Sequence, residues 1–142
     1  MASELNTEQQ PFSWPVRIYY EDTDAGGVVY HSNYLKFFER ARTEMLRSSG
    51  INQNTLLEDN VAFVVRHMDI DFIRGARLDD ELTVQTTISQ LGRATIIFCQ
   101  ELVNSDNTVL CRASVKVGCV NLTVMRPISI PQHIKAEILR DR

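Results

Sequence analysis

The chain has 142 residues, 44% of them hydrophobic, and a formal net charge of -3. That length suits one compact domain able to bury roughly 68% of its unfolded surface, and the mildly acidic balance excludes a general nucleic-acid binder. The first ten residues lack the charged-then-apolar pattern of a signal peptide, and no run approaches the roughly 18 apolar residues of a membrane span, so the cytoplasm is the expected compartment.

Residues 1–11 are polar and are expected to be mobile, ahead of a single domain over residues 12–142. Residues 16–21 alternate apolar and polar side chains, rich in β-formers, and read as a strand. Next come Asp22-Thr23-Asp24-Ala25-Gly26-Gly27-Val28-Val29-Tyr30-His31, which set two carboxylates and two glycines just before a helix. The helix is read over residues 33–49. Tyr34, Phe38, Ala41 and Met45 recur at helical spacing, Phe37 and Leu46 widen the stripe, and Lys36, Arg40, Glu44 and Arg47 face water. Ser32 or Asn33 is placed to cap its start, and Gly50 sits where a left-handed C-terminal cap belongs. The carboxylates therefore precede the positive end of a long helix, whose unpaired N–H groups suit an anion or a developing oxyanion.

Spacing alone leaves rival readings of this segment. An Asp-x-Asp-x-Gly-Gly run is most often a solvated turn. As a calcium loop it fails, because the fifth position is Gly26 and the twelfth is Asn33 instead of Glu. No phosphate-cradling Gly-x-x-x-x-Gly-Lys-Ser accompanies it.

Farther along, residues 52–55 read as a turn or short helix start, followed by strands over residues 61–72, 82–89, 94–103 and 109–120. Turns at residues 91–93 and 104–107 favour antiparallel hairpins, and Pro131 starts a short last helix with Ile134 and Ile138 on one face. Cys99, Cys111 and Cys119 lie in apolar alternating runs without Cys-x-x-Cys spacing, and His31, His67 and His133 are far apart. Buried free thiols are expected in place of zinc ligands or disulfides.

The run from Arg17 to Tyr34 closely resembles the active-site signature of the 4-hydroxybenzoyl-CoA thioesterase family. The likeness continues through Phe38-Glu39-Arg40-Ala41-Arg42-Thr43-Glu44-Met45-Leu46-Arg47 and Val61-Ala62-Phe63-Val64-Val65-Arg66 to Ala76-Arg77-Leu78-Asp79-Asp80. In these stretches the chain looks like the family's YbgC-type acyl-CoA thioesterase branch, the one encoded beside the Tol-Pal envelope genes of Gram-negative bacteria. The resemblance implies an α+β hotdog fold, an antiparallel sheet of about five strands wrapped around one long central helix. It implies an enzyme that hydrolyses acyl-CoA, with acyl carrier protein as a second candidate carrier, and no cofactor or metal.

Mapped by motif, the family's catalytic carboxylate falls on Asp24, as nucleophile or general base, with Asp22 the less certain partner. The oxyanion donor falls on the backbone N–H of His31, whose imidazole is a further catalytic candidate. Substrate contacts fall on Gly27, Tyr30, Asn33, Phe63, Val64 and Arg93. Arg93 sits in a hairpin turn where the family binds coenzyme A phosphates, and a guanidinium suits that geometry. A solvated surface arginine is the rival reading. The resemblance also implies a homodimer or a tetramer, with Asp24 of one subunit facing Phe63, Val64 and Val65 of the next. Two other classes compete: a non-hydrolytic scaffold that binds acyl groups or acyl carrier protein at the envelope, and a hotdog dehydratase, which requires a catalytic His with a facing acid. Acyl-chain length is not written in the residues.

Overall fold

A computed structural model of the protein describes residues 9–141 and the short strand Ser3–Glu4. In chain order the elements are β1 (Ser3–Glu4), β2 (Phe12–Arg17), α1 (Asn33–Ser48), α2 (Gln53–Glu58), β3 (Val61–Phe72), β4 (Glu81–Leu91), β5 (Thr95–Val103), β6 (Val109–Asn121), β7 (Arg126–Pro127) and α3 (Gln132–Arg140). Among the described residues the strands form one antiparallel sheet in the order β1-β4-β5-β6-β3, with β2 also on β4 and β7 on β6. One long helix packed against one antiparallel sheet is the α+β arrangement that the sequence predicts.

The helix forms because its apolar stripe finds the sheet. Tyr34, Phe37, Phe38, Ala41, Met45 and Leu46 are all buried, joining Val84, Ile88 and Phe98 in the core. Each large side chain in that stripe contributes about 1.5–3 kcal/mol by leaving water, and Phe38→Ala would cost about 3–5 kcal/mol. The helix stops at a Schellman motif, in which the Gly50 N–H donates to the Arg47 carbonyl and the Ile51 N–H to the Leu46 carbonyl, both at 3.0 Å. Gly50 has φ +85° there, which a side chain would disfavour. Ser32 stands at the N-cap, but its hydroxyl makes no capping bond.

Two expectations need correction. The strand ahead of the Asp-Thr-Asp loop is Phe12–Arg17, not residues 16–21. Phe12, Trp14 and Val16 point toward the core, and Pro15 is tolerated because β2 pairs only β4 and so lies at an edge. Past Arg17 the chain leaves the ladder, since the Asp22 carboxylate accepts the Tyr19 N–H at 2.9 Å and curls residues 20–22 into a 3₁₀ turn. The second correction is Cys99, which is exposed, whereas Cys111 and Cys119 are buried. Strand parity decides this: Ile96, Phe98, Gln100 and Leu102 point inward, so Cys99 points out. Burial pushes the Cys111 thiol up to about 12 and raises that of Cys119.

The expected mobile segment over residues 1–11 falls largely outside the described residues. Within the described part, Ser3 and Glu4 pair with Leu91 and Gln90 of β4, and the Gln9 amide exchanges hydrogen bonds with the backbone of Ile88 at 2.9 and 3.2 Å.

Candidate active site

The turn that carries Asp24 is built by backbone hydrogen bonds. The Gly27 N–H donates to the Asp24 carbonyl at 3.0 Å and the Asp24 N–H to the Val28 carbonyl at 2.9 Å, while Thr23 bridges Val29. This is a three-residue hairpin loop closed by a glycine bulge, and Gly27 has φ +80°, the left-handed conformation such a bulge demands. The Gly26 N–H donates to Asp24 Oδ1 at 2.8 Å. A Cβ on Gly26 would lie 3.2 Å from that oxygen, so the glycine leaves room for the carboxylate. Asp24 is exposed, and its Oδ2 has no donor among the described residues.

Asp22 has the opposite surroundings. Its Oδ1 accepts from Asn33 Nδ2 and its Oδ2 from the Tyr19 N–H, both at 2.9 Å, while its carbonyl accepts the Tyr30 N–H at 3.0 Å. It is buried, as is Asn33. The pair clamps the loop to the first residue of α1. A second tie runs through Tyr34, whose hydroxyl accepts the Ala76 N–H at 3.0 Å, while the Ala76 carbonyl accepts the Val29 N–H at 2.8 Å. Burial raises the Tyr34 pKa above its ordinary value.

At the start of α1 the Asn33 N–H turns back to the Tyr30 carbonyl at 2.8 Å, and the His31 N–H has no acceptor among the described residues. It lies at the end of the helix where unpaired donors and the helix dipole favour negative charge. The His31 imidazole is exposed, tilted over Tyr30 at 4.5 Å between ring centres and edge-on to Phe72 at 6.2 Å. Phe72 in turn meets Tyr34 at 5.6 Å and remains half exposed. The sequence reading missed Phe72. Its only signal was an aromatic residue ending a strand just before the Arg74-Gly75-Ala76-Arg77 loop.

Asp24, Gly27, Tyr30 and His31 are thus gathered at one end of α1, with Asn33 beneath them as part of the clamp. Phe63 and Val64 lie elsewhere, lining a groove of about 480 Å³ between α1 and β3 together with Leu35, Leu46 and Met68. Arg42 also lines this groove and was not singled out from the sequence. It is buried, and its Nη1–H donates to Gln100 Oε1 at 2.9 Å; Gln100 Nε2 donates to the Phe38 carbonyl and to Thr86 Oγ1, each at 3.0 Å. Burial lowers the Arg42 pKa, with Glu39 opposing the shift. Arg93 sits apart at the tip of the β4–β5 hairpin, exposed, its carbonyl accepting the Ile130 N–H at 2.7 Å.

An under-coordinated carboxylate in the turn that leads to an unpaired backbone N–H at a helix start is equipped for attack on a carbonyl whose oxygen gains charge. One preorganised donor of that kind contributes roughly 10²- to 10³-fold, and a positioned carboxylate base about 10²- to 10⁴-fold.

The family model of the thioesterase superfamily matches residues 26–111. The chain is 52% identical over 126 residues to the acyl-CoA thioester hydrolase YbgC of Escherichia coli, a match that covers 89% of this chain and 94% of the relative. It is 54% identical over 126 residues to the acyl-CoA thioesterase YbgC of Haemophilus influenzae, covering 88% and 92%. The structure superposes on a probable thioesterase from Bartonella henselae with a TM-score of 0.77 at 37% identity, covering 87% of this chain and all of the other.

Proposed function

This chain belongs to the thioesterase superfamily, with the hotdog fold, and is an acyl-CoA thioester hydrolase; on that premise we propose that Asp24 is its catalytic carboxylate and that the His31 backbone N–H holds the oxyanion. The observation that carries this reading is the contrast between the two aspartates: Asp22 has both oxygens engaged and is buried, while Asp24 is exposed with Oδ2 open.

As nucleophile, an Asp24 oxygen adds to the thioester carbonyl carbon, the oxyanion is held by the His31 N–H, and collapse breaks the C–S bond. The thiolate of coenzyme A departs and water then hydrolyses the mixed anhydride. As general base, Asp24 takes a proton from water, the hydroxide adds, and the thiolate leaves and is protonated. Single turnover in isotope-labelled water separates the routes, because label entering the Asp24 carboxylate marks the anhydride. The thiolate is a good leaving group, so neither route calls on a metal. Gly27 holds the turn, Tyr30 and the His31 imidazole flank the reacting centre, and Asn33 positions the loop through Asp22. Arg93 is the reading's contact for the nucleotide phosphates, and acyl carrier protein is a second carrier that the same turn accepts.

The assembly is a homodimer, with a tetramer built from it. β3 pairs β6 on one side, and its other edge carries no strand among the described residues, which supports pairing with a second copy. In that assembly Phe63 and Val64 of one subunit face the Asp24 turn of the other. Its compartment is the cytoplasm, where thiols such as the three free cysteines stay reduced.

The test is thiol release from a panel of acyl-CoAs by wild type and Asp24→Asn. The expected outcome is wild-type turnover and a loss of about 10²-fold or more in the variant. Undiminished activity in the variant sinks the assignment, and tight binding of acyl carrier protein without turnover of any thioester favours the scaffold reading.

A further inference from the structure

Taking as its basis the reading in which the acyl group cleaved at Asp24 enters the groove beside Phe63 and Val64, we propose that Arg42 recognises a hydrogen-bond-accepting oxygen on the distal part of that acyl group. The favoured substrates then carry a hydroxyl, carbonyl or carboxylate there in place of a bare alkyl end.

Arg42 is only 7% exposed, yet it forms part of the wall of an open groove. Of its five N–H donors, Nη1–H alone has an acceptor among the described residues, the neutral amide oxygen of Gln100 at 2.9 Å. No carboxylate forms an ion pair with it among the described residues; Glu39 acts on it through space alone and is itself exposed. A desolvated cation left this way is costly, and hydrogen bonds to the remaining donors are what offset that cost. Three other groove residues, Glu39, Thr43 and Gln53, carry acceptors, but none of them bonds the Arg42 guanidinium among the described residues. Leu35, Leu46, Phe63, Val64 and Met68 offer hydrocarbon, which suits an alkyl or aromatic stem but accepts nothing.

The guanidinium is also held in place before any ligand arrives. Gln100 is fully buried, and its amide nitrogen is committed to the Phe38 carbonyl and Thr86 Oγ1, so its oxygen has a single direction in which to face. This orients the Arg42 fork, and a preorganised fork loses little entropy on binding a ligand oxygen. A mostly apolar groove with a preset cluster of donors in its wall matches an acyl group that is mostly hydrocarbon with one polar substituent.

The experiment compares kcat/KM of wild type for coenzyme A thioesters of equal carbon count ending in methyl, hydroxyl or carboxyl, over several lengths. At the length that fills the groove, an oxygen-bearing substrate is expected to exceed its methyl counterpart by about tenfold or more; the hydroxyl and carboxyl arms show whether a neutral or an anionic oxygen is preferred. In Arg42→Met the ratio is expected to fall to near one, and a ratio measured within one preparation does not depend on the fraction that folds. If that variant fails to fold, Arg42→Lys, which keeps the charge but not the fork, is expected to lower the same ratio. Wild type that cleaves every thioester without preference overturns the role of Arg42 and leaves the thioesterase reading standing, whereas turnover of none overturns both. A preference that survives in Arg42→Met, or an Arg42→Met protein that sediments as a monomer where wild type does not, also overturns it, the latter by assigning the donors to a contact between copies.

Discussion

Two aspartates separated by one residue occupy opposite physical worlds. The clamp of Asp22 and Asn33 is buried, with both Asp22 carboxylate oxygens hydrogen-bonded, whereas the turn from Asp24 to Val28 stands largely in solvent and is shaped almost wholly by its own backbone. A carboxylate with both oxygens engaged stabilises a loop but is poorly placed to attack, and one with an open oxygen has the reverse balance. The number of partners, more than residue type, separates the two acids, one engaged on both oxygens and the other with an oxygen left open.

The sharpest way to break that contrast is to exchange the effects of the two positions. Asp24→Asn is expected to lower kcat by about 10²-fold or more while moving the unfolding free energy by less than about 0.5 kcal/mol, as surface substitutions do. Thiol release and urea denaturation on the same preparation check both halves. Asp22→Ala is expected to do the converse, costing about 1–3 kcal/mol because it orphans the Asn33 amide and the Tyr19 N–H. A shift in denaturation midpoint at unchanged slope would show it, and equal activity losses at both positions with no stability difference would dissolve the distinction.

Smaller changes probe the supports. Tyr34→Phe leaves the Ala76 N–H without its acceptor in a buried site, at a cost of roughly 1–2 kcal/mol. Faster hydrogen exchange at Ala76 and Val29 than at mid-α1 amides is the local signature. Gly27→Ala places a side chain at φ +80°, which costs about 1 kcal/mol. Its larger consequence is expected in kcat/KM, since the bulge aims Asp24.

Much of the fold was legible because periodicity is local information. The stripe of α1 from Tyr34 to Leu46 and the alternation of β3 to β6 are recorded residue by residue, and the hairpin turns carry glycine or asparagine where the backbone bends. Residues 16–21 misled because Tyr19-Tyr20-Glu21 favours a strand by composition while a side chain three residues on, Asp22, captures the Tyr19 N–H. Cys99 misled because an apolar alternating run shows that two faces exist without saying which one is covered.

At the site the division is similar. The Asp-Thr-Asp-Ala-Gly-Gly run ahead of a helix marked the turn and both carboxylates from residue type and order alone, since glycine conformation and helix polarity are properties of short segments. Three features depended on residues distant in the chain. These are the hydrogen bond from Asn33 to Asp22, the approach of Phe72 to His31, and the bond from Arg42 to a Gln100 that is itself tied to Thr86. The sequence by itself determined which elements form and where the Asp-Thr-Asp-Ala-Gly-Gly turn lies, because those follow from periodicity and turn chemistry within a few residues, while the candidate role of that turn came from its resemblance to the family signature. The tertiary structure decided which carboxylate is free and which cation is buried, because solvation and hydrogen-bond partners exist only once the sheet has closed over the helix.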